Sequence, residues 1–197
     1  ISEYEADGKK QKLESHSVHA PWNHEVIAGE VLYANAEVAR QAIDAAVAGQ
    51  QEWQAVPAAK RAEILRKVAD LYEKNYAEVM ALCQIEAGKT TQDSIDEIKE
   101  AVDFCRFYAD EAERLDGVAH EFTDLSGNQL RQVYKARGTF VCISPWNFPF
   151  AIYSGQIVAA LAAGNTVVAK PAEQTSLVAH FAVQLMYQAG VPASALQ

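Results

Sequence analysis

Charge is almost missing from the last third of this chain. From Gly138 to Gln197 the only Asp, Glu, Lys or Arg residues are Lys170 and Glu173. The formal net charge of −9 over 197 residues therefore falls wholly on residues 1–137, because that pair cancels. No basic cluster offsets the negative balance, which argues against a nucleic-acid backbone or an anionic membrane as main partner. Apolar runs near the ~18 residues of a membrane helix are lacking. The longest candidate, 148–163, is interrupted by Pro149, Ser154, Gly155 and Gln156. Cysteines number three, Cys83, Cys105 and Cys142, with no metal-ligand spacing. They read as free buried thiols of a reducing compartment, hence a cytoplasmic protein. There is no GxGxxG, so the usual pyrophosphate-cradling turn is missing. None of the five histidines pairs with a Cys or Asp at catalytic spacing. The start, ISEYEADGKK, lacks an initiator Met and is no signal peptide, and it reads as the middle of something longer.

Half the residues are hydrophobic and 22% charged, which fits a packed α/β protein. Residues 1–20 are polar and carry no clear element, and 20–24 read as a turn. A short strand is expected over 26–33. Asn35 is a plausible N-cap for a helix to about Gln50, and Pro57 opens a second helix. A third helix covers 77–87 and stops at Gly88. A long helix follows over about 92–115, with Ile95, Ile98, Val102, Cys105, Ala109 and Ala112 as its inner stripe. Glu100 lines up with Phe104 and Phe107 on a second face. It is either a solvated residue at the stripe's edge or part of a pocket. Residues 118–128 read as a loop or short edge strand. Residues 130–136 alternate like a half-exposed strand, suited to an arm that could join a partner's sheet.

The pattern then changes. Residues 139–144 form a continuous β-prone run, expected to be buried on both faces. An apolar helix (150–163), a second buried strand (166–169) and an amphipathic helix (176–188) complete a parallel βαβα unit. The division expected is 1–137, an N-terminal helical layer with strands and the start of an arm, and 138–197, the first part of an open parallel Rossmann-type sheet. Two strands make no stable sheet, so a further strand is expected where the sequence stops.

Ligands of open parallel sheets bind outside the carboxyl ends of the strands. The loops 144–149 and 170–175 lie there. Lys170 and Glu173 either fasten their turn as an ion pair or bracket a sugar diol. Asn147 either caps the next helix across Pro149 or donates its amide to a carbonyl oxygen gaining negative charge. Ser144 and Trp146 are near enough to wall a ligand. Cys142, inside the strand, is not a candidate nucleophile.

The segments ISPWNFP, GQ..AAL.AGN.VV.KPAEQT and AGVP, with EAGK at 86–89 and DFCRFYADEAERL at 103–115, closely resemble the NAD(P)-dependent aldehyde dehydrogenase superfamily. Within it, the run 142–165 is most similar to glutamate-semialdehyde (pyrroline-5-carboxylate) dehydrogenases, in particular the dehydrogenase half of bifunctional proline-utilization enzymes. The resemblance implies an oxyanion-hole role for Asn147, and adenosine-ribose binding by Lys170 and Glu173. Ile143, Ser144, Pro145 and Trp146 match the strand end lining the cofactor cleft. Phe148 and Ile152 match walls of the aldehyde pocket, and Glu100 a pocket residue suited to the substrate's amino group. The implied cofactor is NAD, since Glu173 would repel a 2′-phosphate. FAD is implied only if a proline dehydrogenase module precedes the chain. The implied partners are a small aldehyde, the remainder of the same enzyme and further copies in a homo-oligomer. An aldehyde dehydrogenase for another aldehyde, such as an unbranched aliphatic one, and a non-catalytic relative with the same fold are the alternatives.

The family's nucleophilic Cys, its general-base Glu and the loop gripping the substrate carboxylate match positions beyond Gln197. A purified polypeptide of residues 1–197 alone is therefore expected to show no aldehyde-dependent NADH formation. Detectable turnover by that polypeptide overturns the assignment of roles.

Overall fold

An antiparallel sheet begins the chain, built from β1 (Ser2–Ala6), β2 (Lys9–Ala20) and β3 (Asn23–Tyr33). The computed structural model describes residues 2–6, 9–117 and 120–197. The sequence shows no element over 1–20, and two strands stand there. Among the side chains described in β2, those of 13–20, Leu13, Val18 and Ala20 are buried, and the pairing register with β3 shifts around His19. So few inward residues, with a bulge among them, erase the period of two that marks a strand. The turn expected at 20–24 joins β2 to β3.

Four helices follow as expected: α1 (Ala36–Ala55), α2 (Ala58–Lys74), α3 (Tyr76–Ala87) and α4 (Thr91–Leu115). Asn35 caps α1, its Oδ1 accepting from the Val38 N–H at 2.9 Å. The helix runs five residues beyond Gln50 because Trp53, fully enclosed, continues its inner face. Gly88 ends α3 in the left-handed region at φ 67°. The inner stripe of α4 is buried at Ile98, Val102, Cys105 and Ala109. All three cysteines are free and buried. Burial pushes the Cys83 and Cys105 thiols up to about 12 and raises Cys142 as well.

A hairpin of β4 (His120–Thr123) and β5 (Gln129–Gln132) comes next. Residues 118–119 of the expected loop lie outside the described residues. The strand expected over 130–136 stops at Gln132, and all of β5 is exposed rather than half-exposed. Leu130 of β5, Phe122 of β4 and Val133 just after the hairpin are exposed.

The parallel unit comprises β6 (Phe140–Ile143), α5 (Ala151–Ala162), β7 (Val167–Lys170), a 3-10 turn (Glu173–Thr175) and α6 (Ser176–Ala189). β6 pairs with β7 from Phe140↔Val167 to Ile143↔Lys170. Residues 195–197 run parallel along the other edge of β7, with Val167 N–H donating to Ala195 O and Gln197 N–H to Val167 O, at 2.8 and 2.9 Å. β6 differs from expectation. Only Cys142 is buried, while Phe140, Val141 and Ile143 are 42, 56 and 67% exposed. A continuous apolar run reports what a strand is built to be covered by, and here β6 is the open edge of the sheet.

The helical layer grips α5 by its main chain at both ends. At the start, Glu97 Oε2 accepts from the N–H groups of Phe150 and Ala151 at 3.1 and 2.8 Å. At the end, the Trp53 indole donates to Leu161 O, the Arg61 Nε to Ala162 O and the Gln50 amide to Gly164 O, at 3.1, 3.1 and 3.0 Å. One continuous buried cluster includes residues of α2, α4, α5 and α6.

Gly49 fixes how close α1 approaches the end of the sheet. A Cβ there would stand 2.0 Å from the Ser194 carbonyl oxygen, which is backbone and cannot rotate away. Gly49→Ala is expected to destabilise the protein by at least about 2 kcal/mol. An unchanged urea unfolding midpoint would contradict this close approach.

Candidate functional site

Two loops leave the carboxyl ends of β6 and β7, at 144–150 and 171–175. They are joined at their base, where the Ser144 N–H donates to Lys170 O at 3.2 Å. In the second loop Lys170 Nζ lies 2.5 Å from Glu173 Oε1, and both side chains are exposed. The hydrogen bond from Lys170 holds the Glu173 carboxyl below its usual range. The ion pair therefore exists, and its open position leaves Glu173 Oε2 and further ammonium protons for a ligand.

The turn is anchored from behind. Tyr33 Oη donates to Glu173 O at 3.2 Å. Glu86, buried, accepts from the N–H groups of Leu177 and Val178 at 2.7 and 2.9 Å and so caps α6. Burial pushes the Glu86 carboxyl up, against the downward pull of those N–H bonds. The absent side chain of Gly29 makes room for Leu177, whose Cδ1 would lie 2.9 Å from a Cβ.

In the first loop Asn147 is exposed. It does not cap α5. Glu97 does so, leaving the Asn147 carboxamide at the open face. Ser144 is buried and donates to Gln156 Oε1 at 3.3 Å, so its hydroxyl is engaged below the loop. Pro145 is half-buried, and Ile143, Trp146 and Phe148 are exposed along the same edge. Lys89 Nζ sits 4.6 Å from the Phe148 ring centroid. The same ammonium is 2.8 Å from Glu97 Oε1, an ion-pair contact rather than an aligned hydrogen bond.

Glu100 is exposed on α4. It stands one turn before Phe104, which packs where a Cβ on Gly155 would lie. One turn back, Glu97 reaches residues 150–151. These two contacts with α5 bracket Ile152, which is half-buried.

Sequence reasoning missed Glu97, Glu86 and Lys89 as working residues. A signal for Glu97 existed. It lies in register with Ser94 and Ala101 on the inner face of α4, and the following apolar helix offers no capping residue of its own. Volume would not have found the site either. A cavity of about 570 Å³ beside Arg61, Tyr108 and Tyr134 lies at the opposite end of α5. Among the described residues no cluster of three or more His, Cys, Asp or Glu could hold a metal. No helix among them is long and apolar enough to cross a membrane.

The aldehyde dehydrogenase family pattern matches residues 8–197. The chain is 42% identical over 171 residues to the bifunctional protein PutA of Escherichia coli, covering 87% of this chain and 12% of that protein. It is 39% identical over 177 residues to the 1-pyrroline-5-carboxylate dehydrogenase of Anoxybacillus flavithermus, covering 89% of this chain and 34% of the relative. Among solved structures, 1-pyrroline-5-carboxylate dehydrogenase from Thermus with bound NAD superposes with a TM-score of 0.88 at 32% identity, covering 93% and 36% of the two chains. The chain thus spans about a third or less of the length of these relatives. With its parallel unit, its two loops and a pattern match along nearly all its residues, this chain belongs to the aldehyde dehydrogenase family.

Proposed function

We propose that this chain is the oxyanion-donating and ribose-binding part of an NAD-dependent aldehyde dehydrogenase. The reaction is oxidation of L-glutamate γ-semialdehyde, the open form of pyrroline-5-carboxylate, to L-glutamate in proline catabolism. The observation that carries this reading is the placement of Asn147 and the Lys170–Glu173 pair on adjacent loops at one sheet edge. The names of the relatives support the substrate class, and the Thermus structure's bound NAD supports the cofactor.

The residues fit these roles chemically. Glu173 accepts from the ribose hydroxyls while Lys170 donates, and an ionised Glu173 disfavours a 2′-phosphate. Ile143, Ser144, Pro145 and Trp146 form the strand end against which the cofactor lies. NAD bound there supplies the hydride acceptor. Asn147 donates its amide N–H to the substrate oxygen as it takes up negative charge. Phe148 and Ile152 wall the aldehyde, and Glu100 accepts from its ammonium group. The nucleophilic thiolate and the general base belong to other parts of the enzyme. The three thiols here are buried and hard to ionise.

The exposed β4–β5 hairpin, with Leu130 on its surface and Val133 beside it, supports assembly with another copy of the enzyme through an arm. We read residues 1–137 as the layer and arm, and 138–197 as the beginning of the cofactor-binding sheet. FAD belongs to the complete protein only where a proline dehydrogenase module is joined to it. The presence of Asn147 together with Lys170 and Glu173 favours an enzyme over a non-catalytic relative. Glu100 distinguishes the glutamate aldehyde from unbranched aliphatic ones.

In the complete enzyme, Asn147→Ala is expected to lower kcat by about 10²–10³-fold. NAD affinity, measured by fluorescence quenching, should stay unchanged. A parent-like kcat would remove Asn147 from the reaction. Glu100→Gln is expected to raise the KM for glutamate semialdehyde by roughly tenfold, the loss of one charged hydrogen bond. The KM for an unbranched aliphatic aldehyde should not move. If neither KM changes, Glu100 is not a substrate contact.

A further inference from the structure

The first helix of the parallel unit starts without a cap of its own. Phe150 occupies the N-cap position and makes no side-chain capping bond. Helix N-termini leave backbone N–H groups without partners, and a buried one cannot turn to water. Glu97 meets two of them with one oxygen, Oε2. It is only 2% exposed, and a carboxylate held that deep needs a cation beside it. Lys89 supplies the cation at 2.8 Å from the other oxygen, Oε1.

Lys89 does more than neutralise Glu97. Its ammonium also lies 4.6 Å from the Phe148 ring centroid, within cation–π range. Capping α5 requires Glu97 and its counter-charge, not the Phe148 ring. Phe148 lies before the first residue of the helix, and the contact restrains the residue directly after Asn147. At the other end of the loop, Ser144 is tied to Lys170 O and to Gln156. Residues 145–147 are thus spanned between two fixed points.

We propose that Lys89 and Glu97 are positioning residues that set the direction of the Asn147 carboxamide through Phe148 and the first turn of α5. This rests on Asn147 being the oxyanion donor. Such a donor acts only when already aimed at the place where charge develops, and a misplacement of ~1 Å can cost ~10²-fold in rate.

The test is a double-mutant cycle in the complete enzyme, read as kcat with NAD and aldehyde saturating. Lys89→Met is expected to lower kcat about tenfold in the parent and less than about twofold in an Asn147→Ala background. KM for NAD should move far less than kcat, because the Lys170–Glu173 turn is held by Tyr33 and Glu86. Glu97→Gln, which keeps the side-chain volume and one acceptor oxygen, goes through the same cycle with the same expectation. The test then stands on whichever variant folds. An equal fold-loss in both backgrounds would mean that the pair acts as general scaffold, and it overturns the proposal, as would no loss in the parent. If Asn147→Ala alone leaves kcat intact, the oxyanion assignment is what fails, and the two failures are told apart by that single variant.

Discussion

A buried apolar helix has polar ends, and α5 carries nothing in its own sequence to satisfy the first of them. Its N-terminus rests on Glu97 from α4, and its last carbonyls rest on Trp53, Arg61 and Gln50 from α1 and α2. The same solution recurs at α6, whose first turn is capped by Glu86 from α3. An unpaired buried backbone group costs about 1–3 kcal/mol, so these bonds tie the helical layer to the parallel unit more specifically than apolar packing could. They also decide where the loops 144–150 and 171–175 point, since each loop runs directly into a helix held in this way.

Much of this architecture was legible in the sequence because it rests on period and punctuation. The inner stripe of α4, Asn35 as a cap, Gly88 as a stop and the strand–helix–strand–helix order at the end of the chain all follow from local chemistry. The misreadings share a cause, which is that a neighbour settled the outcome. β2 hides its period behind polar residues and a bulge. β6 has the composition of a strand covered on both faces, yet stands at an open edge. Asn147 looks like a cap until Glu97, fifty residues away in sequence, takes that task.

The site was legible to a similar depth. Lys170 and Glu173 stood out as the two charges in an uncharged region, and they form the expected pair. Glu100 drew notice through its alignment with aromatics. Glu97, three residues earlier, reads as an ordinary helix-surface acid unless one asks what α5 will use for a cap. Buried polar groups that serve another element's backbone leave little trace in their own local pattern, because their partners are main-chain atoms of any residue type.

The two capping carboxylates also bear on the order in which the protein can fold. Their bonds close over 53 to 92 residues of sequence, from α3 and α4 forward to helices made later. Contacts of such separation form slowly, because the entropy of closing the loop between them must be met before the contact stabilises anything. A growing chain would have α3 and α4 emerged and able to pair before α5 and α6 appear. The later helices would then dock onto carboxylates already in place, so that synthesis from the N-terminus supplies the scaffold before the elements that depend on it.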